Sequence, residues 1–148
     1  MQANFFRLTA ILLFVVTTTF AQKPAIFSKD DKAIGGYDPV GYFTEGKPVM
    51  GSSDFTWSWQ GANWQFASEK NRTAFKAEPE RFAPQYGGYC AFGMSRGYKA
   101  PTEADAWTIV DNKLYFNYNQ KVRTEWDKDR PGYIQKADKS WVEVKEKK

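Results

Sequence analysis

Cys90 and Met94 are the residues of this chain best suited to chemistry. They are four apart, so on a helix they share one face. A thiolate beside a thioether is a donor pair for Cu(I). Met50 is a third soft donor, which only the fold can bring to the pair. Cys90 is the single cysteine, and the sequence contains no histidine. Ser-His-Asp and Cys-His catalysis, histidine metal ligation and an internal disulfide are therefore ruled out. A structural zinc site generally takes four Cys or His ligands, so structural zinc is not expected.

The thiol lies in Tyr86-Gly87-Gly88-Tyr89-Cys90-Ala91-Phe92-Gly93-Met94-Ser95. Gly87-Gly88 breaks the chain, and Gly97 after Arg96 reads as a helix C-terminus. A short helix fits between them, weakened at Gly93 by about 1 kcal/mol relative to Ala. A start near Gly88 or Tyr89 puts Cys90 in the first turn, where the helix dipole favours thiolate. Three readings of Cys90 follow. It is a soft-metal ligand with Met94, the nucleophile of a thiol redox or transfer enzyme, or a buried small hydrophobe, as free cysteines often are. Tyr86, Gly87, Gly88 and Tyr89 are candidate ligand-binding residues, because glycines before a helix can present backbone N–H groups to an anion. The plainer reading of the glycines is a turn with positive φ.

The elements that must position this segment are short. Phe55, Trp57 and Trp59 alternate with Thr56 and Ser58, Gln60-Gly61-Ala62-Asn63 turns, and Trp64-Gln65-Phe66 returns. That is a β-hairpin with one aromatic face, expected to be core. Trp107–Val110 and Leu114–Phe116 form a second hairpin around Asp111-Asn112-Lys113. Ser68 caps a helix over 69–77, Pro79 opens a short helix carrying Phe82, and Asn119 caps one over about 120–128. Val122 and Trp126 share a face of the last. Pro131 and Gly132 interrupt it, and a further amphipathic piece runs to about Lys139. Residues 35–43 read as Gly/Pro-punctuated extended pieces. With 18% aromatic residues, a small domain without disulfides has large buried areas to draw on. The same aromatics, Trp141 among them, allow a small-ligand or carbohydrate platform instead.

Arg7, the apolar run Leu8–Val16 and Thr19-Phe20-Ala21 read as an export signal over residues 1–21. Gln22 would be the mature N-terminus, and the product periplasmic or secreted. The run is short for a membrane span, and no cysteine follows for lipidation, so no membrane anchor is expected after cleavage. A net charge of +4, spread along the chain, gives no footprint for nucleic acid. The acid pairs Asp30-Asp31, Glu103 with Asp105, and Asp127 with Asp129 lie in polar or turn contexts and read as solvated charge.

Several motifs in order carry a resemblance. They are Gly36-Tyr37-Asp38-Pro39-Val40-Gly41-Tyr42-Phe43, Gly61 to Ser68, Asn71-Arg72 with Phe75, Pro79-Glu80 and Phe82, and Tyr86 to Ala91. Together they resemble the YHS-domain family, in its small exported single-domain form, over nearly all of residues 34–142. The resemblance implies an α+β fold of two short β-hairpins packed with several short helices, around a treble-clef-related core. Metal-handling YHS domains, such as those attached to copper-transporting ATPases, carry cysteine after an Asp-Pro-Val and again in a Phe-Cys-Ser segment. Gly41 and Ala67 occupy those positions in this chain. The expected organisation is a polar lead-in over 22–33, a YHS-like domain over 34–142 and a charged tail over 143–148. The expected role is an exported binding module rather than an enzyme, with a metal or a small molecule as ligand and no protein partner specified.

Overall fold

A computed structural model of the chain describes residues 23–145. The export signal expected over 1–21 and the end of the charged tail lie outside the described residues. Three antiparallel hairpins are closed in the same way. They pair β1 (Ser28–Lys29) with β2 (Lys32–Ala33), β3 (Ser52–Trp59) with β4 (Ala62–Phe66), and β5 (Trp107–Val110) with β6 (Lys113–Phe116). The two turn residues of each have positive φ: Asp30 and Asp31, Gln60 and Gly61, Asp111 and Asn112. That geometry matches the right-handed twist of the flanking strands, and Asn, Asp and Gly tolerate it best. The acid pair Asp30-Asp31 is thus turn chemistry, and the supposed polar lead-in is folded, with Ile26 and Ala33 buried.

Among the described residues, six α-helices fill the intervals: α1 (Pro39–Thr44), α2 (Glu69–Ala77), α3 (Pro79–Phe82), α4 (Ala91–Ser95), α5 (Gln120–Asp127) and α6 (Arg130–Lys145). Side-chain caps set four of the starts, the one at α4 being a sulfur described below. Ser68 Oγ accepts the Asn71 N–H, Asn119 Oδ1 accepts the Val122 N–H, and Asp38 accepts from Val40 and Gly41. The architecture is α+β, as expected. Two local expectations fail. Residues 39–44 are helical because Asp38, kept extended by Pro39, serves as N-cap with Pro39 in the first turn. Helix α6 continues through Lys145, since Pro131 lies in the first turn, where its missing N–H has no intrahelical role.

Strand β6 divides the interior. Leu114 and Phe116 face one cluster, with Tyr42, Trp64, Phe66, Phe75 and Phe82. Tyr115 faces the other, with Tyr86, Met94, Trp126 and Ala137. The alternation is the period of a strand, so one strand serves two cores. In the first, Phe75 of α2 touches Trp59, Trp64 and Phe66 at ring-centroid distances of 5.6, 5.1 and 5.1 Å. Trp57 departs from its expected core position. It is 38% exposed at the rim of the hairpin, with the Lys76 ammonium 4.4 Å from its ring centre.

Both interiors hold phenols. The hydroxyls of Tyr42, Tyr86 and Tyr89 donate to Ala104 O, Asp138 Oδ1 and Pro24 O at 2.9, 2.8 and 2.8 Å. Burial pushes the pKa of all three upward, with Asp138 adding to the rise at Tyr86. Burial, with help from Asp138 and Asp111, pushes Tyr115 up to about 12. An acid with a raised pKa in the folded chain ionises first in the unfolded chain. Its contribution is therefore intact below the ordinary value and is lost as pH rises through the folded one. Urea midpoints should hold from pH 7 to about 9, then fall steadily above the ordinary tyrosine value of about 10. A midpoint unchanged at pH 11 would contradict these placements.

Candidate functional site

Cys90 is the N-cap of α4, not a first-turn residue of a helix starting at Gly88 or Tyr89. The positive φ of Tyr86, Gly87 and Gly88 keeps that stretch out of a continuous α-helix. The sulfur accepts the Gly93 N–H at 3.4 Å and donates to Asn117 Oδ1 at 3.6 Å. Asn117 Oδ1 also accepts the Phe92 N–H at 3.1 Å. The Cys90 backbone is held by Ala100 O and bridges to Phe116 of β6. The residue is 2% exposed. Burial pushes the thiol pKa up, partly countered by the backbone N–H groups of Gly93, Tyr118 and Phe92. A neutral thiol acting as a capping group is the outcome, the opposite of the activated thiolate that a nucleophile needs.

Met94 lies one turn on, its N–H bonded to Cys90 O at 2.8 Å. It is fully buried among Tyr86, Tyr89, Tyr115 and Trp126. Met50 is not with them. It is 57% exposed, pairs with Tyr37 in an isolated bridge and lines an open groove with Tyr37, Glu103 and Asp105. Among the described residues, no three Cys, Asp or Glu side chains are grouped to hold a metal ion.

The Gly-Gly segment is roofed by the chain around residues 24–27. Phe27 N–H donates to Gly87 O at 2.8 Å. A Cβ on Gly87 would fall 1.8 Å from Ala25 O, and one on Gly88 2.7 Å from Ile34 Cγ2. These glycines admit close packing. Of the four candidate ligand-binding residues, Gly88 and Tyr89 are covered, whereas Tyr86 and Gly87 line a cleft of about 170 Å³. Trp59 and Trp141 line the same cleft. Cys90 and Met94 do not.

The positions where the resemblance places metal cysteines do come together, through Asp38. One carboxylate oxygen accepts from Val40 N and Gly41 N at 2.9 and 3.4 Å. The other accepts from Ala67 N and Asn71 Nδ2 at 2.8 and 2.7 Å. Asp38 is fully buried. A Cβ at position 41 would lie 3.0 Å from both Val49 Cβ and Cγ2, so Val49 occupies the space a side chain there would enter. The residues present do not fit the metal site of the metal-handling members. A hydrogen-bonded carboxylate links the same two segments.

The residues were not equally visible in the sequence. Asp38 had a local signal, an Asp before a Pro, which is a cap followed by a first-turn proline. Asn117 had none, since its partners come from α4.

Asp38→Ala would leave four donors without their shared acceptor, three of them backbone N–H groups. Hydrogen bonds to charged groups contribute about 1.5–3 kcal/mol each and are not additive, so a loss of about 3 kcal/mol or more is expected in urea unfolding. Asp38→Asn, which keeps one acceptor, should lose less. A loss below about 1 kcal/mol for the alanine variant would remove Asp38 from this role.

No curated protein and no solved structure matches the chain. Residues 40–86 match the family model of the YHS domain. The matched stretch begins at Val40, after the Asp38 cap, and ends at Tyr86, beside the Gly-Gly turn. The family is regarded as one of metal-binding modules, and the positions where the resemblance places its cysteines are the ones joined through Asp38. Over residues 40–86, the chain is similar to the YHS domain.

Proposed function

We propose that this chain is an exported YHS-type binding module that takes a small ligand on its aromatic surface, with Cys90 serving as a structural cap. The observation that carries the reading is the separation of the two candidate sites. The Cys90 sulfur is buried, doubly hydrogen-bonded and raised in pKa. The half-buried Trp59 and Trp141 line a cleft to which the sulfur does not contribute. Aromatic side chains joined by a few polar groups that fix orientation are a common lining for a small-molecule site, and this cleft sets two indoles beside Gln60, Glu80, Gln85 and Lys145.

The competing readings both run through the thiol: Cu(I) handling by Cys90 with Met94, and thiol redox or transfer with Cys90 as nucleophile. Each needs the sulfur to leave its hydrogen bonds and become accessible. Met94 and Cys90 have the right helical spacing, but both side chains point into the interior.

Two measurements on the mature protein separate the readings. Iodoacetamide labelling of native protein should be slow, with a rate that rises only above the ordinary thiol range of about 8.5. Anaerobic competition for Cu(I) should give the same weak result for wild type and Cys90→Ala. Fast labelling that levels off below pH 8 would favour the thiol enzyme. Tight Cu(I) binding lost in Cys90→Ala would favour the metal module.

A further inference from the structure

The cleft at Trp59 and Trp141 is built by five separate parts of the chain, one of them the segment of Ile26 before β1. Trp59 and Gln60 come from the β3–β4 hairpin and its turn, and Glu80 from α3. Gln85 and Tyr86 come from the turn after α3, and Trp141 from α6. The two indoles are braced from behind by other aromatic rings. Trp59 packs edge-on to Phe75 and tilted on Trp64, and Trp141 edge-on to Tyr86 at 6.2 Å between centroids. Bracing of this kind fixes a stacking surface before a ligand arrives, which lowers the ordering cost of binding.

Apart from Tyr86, the polar side chains of the cleft are uncommitted among the described residues. Tyr86 is spent on Asp138. The side chains of Gln60, Gln85 and Glu80 make no hydrogen bond or ion pair among the described residues. The neighbouring Glu78, not Glu80, takes Arg81. Two amides, a carboxylate and the Lys145 ammonium beside two half-buried indoles form a distinctive combination. Each amide offers a donor and an acceptor, which suits a hydroxyl that both gives and accepts. The indoles offer apolar faces for C–H groups. A purely aromatic ligand would leave the amides and the carboxylate unmatched when water is excluded, and unmatched polar groups weigh heavily against binding. A simple anion would meet Glu80 as well as Lys145, so the cleft offers it no net charge. The volume is close to that of the roughly 150 Å³ engineered cavity that accepts benzene, so one six-membered ring fits.

We infer that the Trp59–Trp141 cleft binds a single pyranose ring, its C–H face on an indole and its hydroxyls on Gln60, Gln85 and Glu80. The inference rests on reading the chain as a small-ligand module and names the ligand class of that module. One small ring gives weak binding, with a dissociation constant on the order of 1 mM.

The test follows the indole N–H signals of the mature protein by NMR during titration. The probes are methyl α-glucopyranoside, methyl β-galactopyranoside and N-acetylglucosamine, with phenylalanine as the aromatic zwitterion. At least one sugar should shift the Trp59 and Trp141 signals saturably. The affinity should fall by about tenfold in Trp141→Ala. Gln85→Ala, which removes no intramolecular hydrogen bond, should weaken it as well and guards against a folding defect in the first variant. No sugar response, a response to phenylalanine alone, or equal affinity in Gln85→Ala and wild type would overturn the inference. If Cys90 stays unreactive and copper binding weak while the sugars fail, only the ligand class falls. A reactive or copper-binding Cys90 removes the reading beneath it.

Discussion

The Asp38 carboxylate is the contact from which the first half of the molecule is organised. Its two oxygens face two different elements. One caps α1, and the other holds the corner between β4 and α2 through Ala67 and Asn71. The two segments would otherwise meet only through apolar side chains, which give attraction but little registry. A buried acceptor with four donors is directional, and it satisfies backbone groups that would be costly to leave unpaired. Because α2 carries Phe75, the position of Asp38 also sets where the ring stack of Trp59, Trp64 and Phe66 closes.

The second half depends on β6. Leu114 and Phe116 complete the core beneath the Asp38 knot, and Tyr115 anchors the core of α4, α5 and α6. Cys90 stands at the junction, bridged to Phe116 and bonded through its sulfur to Asn117 and Gly93. At that junction a small, weakly polar side chain is well suited to a tight, dry space, and no reactivity is required of it. The proposed ligand cleft lies where the two halves adjoin, with Trp59 from the first and Trp141 from the second.

Period and capping carried most of the legible information. Ser68, Asn119 and Pro79 marked helix starts, and alternation in 55–66 and 107–116 marked the hairpins, because these signals are local. Residues 39–44 read as extended because Pro39 punctuates the chain, but Asp38 before it makes the proline the first turn of a helix. The aromatic cleft was not legible, because Trp59, Gln85 and Trp141 meet only through tertiary packing. The sequence also cannot distinguish a capping thiol from a reactive one. Cys90 owes its state to Asn117, 27 residues away, and to burial. The replacement of metal cysteines by Gly41 and Ala67 was legible, but the device standing in for them was not, because Ala67 and Asn71 contact Asp38 across about thirty residues of chain.

The central claim is that a carboxylate, not a metal, joins the segments of Gly41 and Ala67. Its most direct test is the thermal unfolding of the chain from Gln22 onward after exhaustive chelation, repeated with added Zn²⁺ and, anaerobically, Cu(I). A structural metal binds the folded chain far more tightly than the unfolded one, and at about 100 times its dissociation constant it adds about 2.7 kcal/mol of stability. The account predicts one cooperative transition with the same midpoint in all three conditions. A chelated protein that is unfolded, or a saturable rise in midpoint on adding either ion, would contradict it.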